Sequence, residues 1–112
     1  MKSFAQAFSG LLLVFKTQVN ARIHLLAALV VIILGFYFRV TTEEWCILIV
    51  CICGVIGFEV INTAIERLAD EVSATYNKNI GIVKDIAAAA VLVVAISAAA
   101  IGLLIFIPYL AR

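Results

Sequence analysis

The stretch Glu59-Val-Ile-Asn62-Thr63-Ala-Ile-Glu66-Arg-Leu-Ala-Asp70 carries three carboxylates and an amide directly after an unbroken apolar run at residues 45–58. At about 100° per residue, Glu59, Asn62, Glu66 and Asp70 fall in a stripe roughly 80° wide on one helical face. An ionisable group at membrane depth costs on the order of 2.5–3.5 kcal/mol on insertion scales, which makes it a candidate functional group. The chemistry that suits this set is that of phosphates. Mg²⁺ takes hard oxygen ligands and is commonly held by one or two carboxylates plus substrate phosphates. A further carboxylate can accept a proton from an attacking hydroxyl. Lys84-Asp85 adds a cation able to offset phosphate charge, and Gln18, Asn20, Arg22 and His24 form a second polar group. No Gly-x-x-x-x-Gly-Lys-[Ser/Thr] loop is present, so a nucleotide would be held by helix ends and side chains.

The elements that must position these groups are membrane helices. Of 112 residues, 66% are hydrophobic and only 13% charged, and the mean hydropathy is +1.23. Soluble domains are apolar at about half their positions. The chain reads as one integral membrane domain over residues 1–112. The few charges, with no basic run or aromatic platform, exclude a nucleic-acid surface. Cys46, Cys51 and Cys53 lack metal-ligand spacing and read as small buried apolar residues. Lys16 interrupts the first apolar stretch and no small-residue cleavage site follows, so the hydrophobic segments are expected in the mature protein.

Residues 1–17 form an amphipathic pattern, with Phe4, Phe8, Leu11 and Phe15 on one face, suited to a helix lying in the membrane interface. A first membrane helix is expected at about 20–39, with Arg22 and Arg39 free to snorkel at its ends. Thr41-Thr-Glu-Glu44 has capping-box form and starts a second helix over about 44–74, antiparallel to the first. Asn77-Lys-Asn79 and Gly81 mark a turn before a third helix at about 80–110. Small residues recur four apart at Ala95/Ala99 and Ala98/Gly102, a spacing that permits close helix packing.

Along the second helix, Glu59 lies about 21 Å from Trp45 and Glu66 about 31 Å, so the polar stripe straddles the far interface. Lys2, Lys16, Arg22, Arg67, Lys78 and Lys84 fall on that side, against Arg39 and Arg112 on the other. The basic residues therefore put the stripe in the cytoplasm. Arg67, Glu71 and Lys78 are read as charges that fix helix depth, and Glu43 and Glu44 as capping residues. His24 has two readings, a bond to a neighbouring helix or a ligand contact. Glu59 and Glu66, seven apart with Asn62 between them, fit neither capping nor depth-setting.

Glu59-x-x-Asn62-Thr63-Ala64-Ile65-Glu66-x-x-x-Asp70, followed by Lys84-Asp85-x-x-Ala-Ala-Ala-Val, resembles the signature of the bacterial diacylglycerol kinase/undecaprenol kinase family. The resemblance covers essentially the whole chain, including Asn20-x-Arg22-Ile-His24. It implies an all-α membrane protein of the bacterial cytoplasmic membrane, a homotrimer of three-helix subunits with N-terminal surface helices. It implies active sites between subunits and direct transfer of the γ-phosphoryl group of ATP to a lipid hydroxyl. Glu59 matches a general base and Glu66 a metal-coordinating glutamate. Asn62, Asp70, Lys84 and Asp85 match further ATP-site residues, and Tyr76 and Asn77 a segment near the nucleotide. Asn20, Arg22 and His24, with Glu59, would meet the lipid. Many members carry a metal-binding glutamate where this chain has Gln18, which keeps an oxygen ligand for Mg²⁺ and ATP but loses a charge. The Asn-Thr-Ala-Ile-Glu and Arg-Ile-His segments put undecaprenol ahead of diacylglycerol as substrate.

A small oligomeric channel or transporter is the rival from another class. It lacks a polar lining across residues 45–58, and the other two membrane helices add almost none. A purely structural subunit would leave Glu59 and Asn62 unexplained.

Overall fold

A computed structural model describes residues 2–75 and 77–112. Its elements are α1 (Lys2–Thr17), α2 (Val19–Phe38), α3 (Thr42–Val72) and α4 (Lys78–Leu110), with no strand among the described residues. Helices α2, α3 and α4 are each long and apolar enough to cross a membrane. The chain is thus an all-helical protein with three candidate spans, and α1 precedes them.

Each boundary has a local cause. Gln18 leaves the helical region at φ −108°, ψ 115°, which separates α1 from α2. The hydrogen-bond ladder nearly bridges the break, since the Gln18 N–H still donates to the Val14 carbonyl at 2.8 Å. Arg39 ends α2 in the left-handed conformation at φ 53°. A non-glycine residue there costs about 1–2 kcal/mol. The turn is closed by the Val40 N–H donating to the Gly35 carbonyl at 3.1 Å. The capping box at the start of α3 is complete: the Glu44 N–H donates to Thr41 Oγ1 at 3.2 Å, and the Thr41 N–H to Glu44 Oε1 at 2.9 Å. Asn77 caps α4 by accepting from the Asn79 and Ile80 N–H groups at 2.9 and 3.4 Å.

Helix α3 is the spine, with α2, α4 and α1 all packing against it. Its two ends are built differently. At the end near the α2–α3 turn, Val40, Leu48, Ile105 and Phe106 form the core, flanked by Phe38, Trp45 and Tyr109. The Phe38 ring lies 6.2 Å from Phe106 and 5.8 Å from Tyr109. The Tyr109 hydroxyl donates to Glu44, and the Arg112 guanidinium sits 4.5 Å over the Tyr109 ring. At the other end of α3 the buried residues are Glu59, Asn62, Thr63 and Ala69. One end is pinned by aromatic rings; the other buries polar side chains.

One expectation about packing is corrected. Cys46 and Cys53 are exposed, and Cys51 is half-buried on the wall of the groove between α2, α3 and α4. Ala95, Ala98, Ala99 and Gly102 line an open groove, so their small size leaves space between helices. The chain exposes 8071 Å², whereas a compact soluble monomer of this mass exposes about 6,000 Å².

Candidate active site

Glu59 is the most deeply buried ionisable residue of the stripe, at 4% exposure, and Asn62 and Thr63 on the following turn are buried with it. The Thr63 hydroxyl donates to the Glu59 carbonyl at 2.9 Å. That bond folds the threonine back on its own helix, a common use of Ser and Thr within helices. Two acceptors are left without a partner, Glu59 Oε2 and Asn62 Oδ1. Leaving a buried polar atom unpaired costs about 1–3 kcal/mol, more if it is charged. The nearest cation-forming group is His24 of α2, whose Nε2 stands 3.7 Å from Glu59 Oε2.

His24 also borders a groove of about 280 Å³ between α2, α3 and α4. The wall beyond it is apolar, built from Ala28, Val31, Val55, Ala98 and Gly102 among others. On the α4 side every lining residue is an alanine or a glycine, while Leu48, Ile52 and Val55 line it from α3.

A second cluster lies where α3 passes into α4. Lys84 Nζ donates to Asp70 Oδ1 at 2.5 Å. The pair is largely exposed, and exposed pairs contribute at most about 1 kcal/mol to stability. Its significance is positional: it fixes a cation beside a pocket of about 200 Å³ lined by Asp70, Ser73, Thr75, Asn77, Gly81 and Lys84. The Ser73 hydroxyl donates to the Thr75 carbonyl at 2.7 Å and shapes that connection. Ser73 and Thr75 were not singled out from sequence, and Gly81, read there as part of a turn, lies in the first turn of α4. A hydroxyl pair in a short helix connection, with a residue lacking a side chain on the next turn, was the available signal.

The remaining candidates occupy distinct places. Glu66 is half-buried on α3, between the two clusters in the chain. Gln18 is half-buried in the break between α1 and α2, and its side chain makes no cap hydrogen bond. Asn20 and Arg22 are exposed on the first turn of α2, and Asp85 is exposed next to Lys84. The Asn77 side-chain oxygen is engaged in its cap. Tyr76 lies outside the described residues. Within one chain, the structure brings His24 to Glu59 and Lys84 to Asp70. It does not gather all the candidates at one point: Glu59 and Asp70 are eleven residues apart on α3, about 16 Å along the axis.

Residues 5–106 match the family model described as prokaryotic diacylglycerol kinase. The chain belongs to the prokaryotic diacylglycerol kinase family. Among its relatives, the undecaprenol kinase of Bacillus subtilis (strain 168) is 38% identical over 109 residues, covering 97% of this chain and 89% of that protein. The diacylglycerol kinase of Synechocystis sp. (strain ATCC 27184 / PCC 6803 / Kazusa) is 35% identical over 107 residues, covering 95% of this chain but 61% of that protein. The resemblance carried by Glu59–Asp70 and Lys84-Asp85 is thereby established for the family. Both relatives are named as kinases of lipids.

Proposed function

We propose that the chain phosphorylates the hydroxyl of a membrane lipid alcohol with ATP, and that undecaprenol is the acceptor. Family membership makes it a lipid kinase with ATP as co-substrate. The observation that carries the site reading is the buried Glu59 carboxylate, with one unpartnered oxygen, beside the polar end of an apolar groove. A lipid hydroxyl arrives at that level from the membrane, and ATP arrives from water. Glu59 accepts the hydroxyl proton while the lipid oxygen bonds to the γ-phosphorus and ADP leaves with the electrons of the broken bridging bond. Lys84, held beside the α3–α4 pocket by Asp70, offsets phosphate charge, with Asp85 and Asn77 bordering the nucleotide. Asn20 and Arg22, exposed on the first turn of α2, are the proposed contacts of that helix with the lipid headgroup.

Mg²⁺ fits the donors at hand. Glu66 offers carboxylate oxygens and Asn62 and Gln18 each an amide oxygen, and Asn62 Oδ1 is buried without a partner. Among the described residues no three His, Cys, Asp or Glu side chains are grouped to enclose an ion. That suits an ion completed by substrate phosphates rather than a closed protein cage. When bound, it would neutralise charge on the phosphates.

The subunit is proposed to work as a trimer, with α1 as an amphipathic helix at the cytoplasmic surface and the polar stripe on that side. The unequal distribution of Lys and Arg supports the orientation. The trimer itself is what the family resemblance implies. Undecaprenol is favoured because the relative named for it aligns over nearly the whole of both chains. The second reading, diacylglycerol, rests on the Synechocystis relative. Purified protein in mixed micelles, given labelled ATP and each lipid in turn, should label undecaprenol with the higher kcat/KM. A large preference for diacylglycerol would reverse the order, and ion flux without ATP turnover would point to a channel.

A further inference from the structure

The mechanism leaves a proton on a buried carboxylate after every turnover. Glu59 has 5% of its side chain exposed, so it cannot readily pass that proton to water itself. The structure offers one neighbour for it. His24 Nε2 stands 3.7 Å from Glu59 Oε2, the oxygen that has no hydrogen-bond partner. That spacing exceeds a hydrogen bond, which closes at about 2.7–3.2 Å. Closing that gap to hydrogen-bond reach takes a movement of about half an ångström, and His24 borders an open groove. His24 has 25% of its side chain exposed against 5% for Glu59, so it is the more accessible of the two.

We propose that His24 is the proton acceptor behind Glu59. The inference rests on the reading of Glu59 as the base. Glu59 removes the proton from the lipid hydroxyl as the new O–P bond forms and the bridging bond to ADP breaks. The proton then passes from Glu59 Oε2 to His24 Nε2 and from the imidazole to water. The carboxylate is restored and no further reactant is consumed. Among the described residues, His24 is the only cation-forming side chain within 4 Å of the Glu59 carboxylate. His24 thus acts through Glu59, and the lipid need not touch it.

The test uses the full-length protein in mixed micelles, with ATP and undecaprenol or whichever lipid alcohol it turns over faster. His24→Ala should lower kcat about tenfold or more while leaving the KM for lipid and ATP within about twofold, a modest share of the 10²–10⁴ typical of acid–base catalysis. Added imidazole should restore part of that loss. His24→Gln, which keeps an N–H donor but cannot carry the proton, should remain slow. In a Glu59→Gln background, His24→Ala should cause no further fall. Unchanged elution of each variant in gel filtration excludes a folding defect as the cause. Full activity of His24→Gln would overturn the relay and leave only an orienting hydrogen bond. A rise in lipid KM with kcat unchanged would make His24 a substrate contact and overturn it as well. Full activity of Glu59→Gln would instead overturn the base assignment itself, so the two failures are distinguishable.

Discussion

Glu59 and Glu66 are carboxylates on one face of α3, yet their surroundings suit them to different work. Glu59 is sealed from water with one oxygen unpaired, which suits a base that must meet a hydroxyl arriving from the membrane. Glu66, a further two turns along, is only half-buried and can meet a hydrated ion carrying phosphates. Glu59→Gln keeps the shape and removes the proton-accepting charge. Its kcat should fall about 10²–10⁴-fold, the usual range for a general base, with ATP affinity retained in a direct nucleotide-binding measurement. Gln18 is a neutral oxygen donor at the break between α1 and α2. It is half-buried and its side chain makes no cap bond, so a carboxylate there would be free to face an ion. Gln18→Glu should lower the Mg²⁺ concentration for half-maximal activity severalfold, because an added anionic ligand strengthens a hard-cation site. An unchanged Mg²⁺ titration would remove this position from the metal site.

The helices bring these residues together through features of unequal legibility. Gly35 of α2 is buried against Trp45 of α3, and a Cβ at position 35 would lie 2.7 Å from Trp45 Cζ2. The Trp45 ring is itself packed 4.9 Å from Phe36, so it cannot swing away freely. Gly35→Ala should destabilise the protein by about 1–3 kcal/mol, as overpacking does. Heat-induced loss of activity in detergent would read this out, and the added change Trp45→Leu should recover much of the loss. Neither partner of that contact was visible as a pair in sequence, because they lie on different helices ten residues apart across a turn. The capping box at Thr41 and Glu44 was visible, since both of its bonds are local. So were the membrane helices, whose apolar composition is set by the bilayer, and the helical face shared by Glu59, Asn62 and Glu66. Contacts between helices were not, and they assign His24 to Glu59 and Lys84 to Asp70. Small residues on α4 signalled close packing by their spacing, but the same spacing also builds a groove once the facing helix stands off.

At the scale of the whole molecule, the spacing of the two clusters bears on where one complete site lies. Within one subunit, the Glu59–His24 pair and the Asp70–Lys84 pair are about 16 Å apart along α3. A base must come within hydrogen-bond reach of the hydroxyl that attacks the γ-phosphorus. A lysine anchored that far along the same helix is better placed to serve phosphates held against a neighbouring subunit. The proposed trimer therefore works through sites shared between subunits, each taking Glu59 from one chain and Lys84 from the next. Co-expression tests this arrangement. Glu59→Gln and Lys84→Met subunits, each inactive alone, should assemble at random. In a cyclic trimer, about a quarter of the interfaces would then join an intact Glu59 to an intact Lys84, restoring roughly that share of wild-type specific activity. Sites built within a single subunit would give no recovery, because every chain in the mixture lacks one of the two residues. Recovery that disappears when the trimer is dissociated in harsh detergent would tie the activity to assembly.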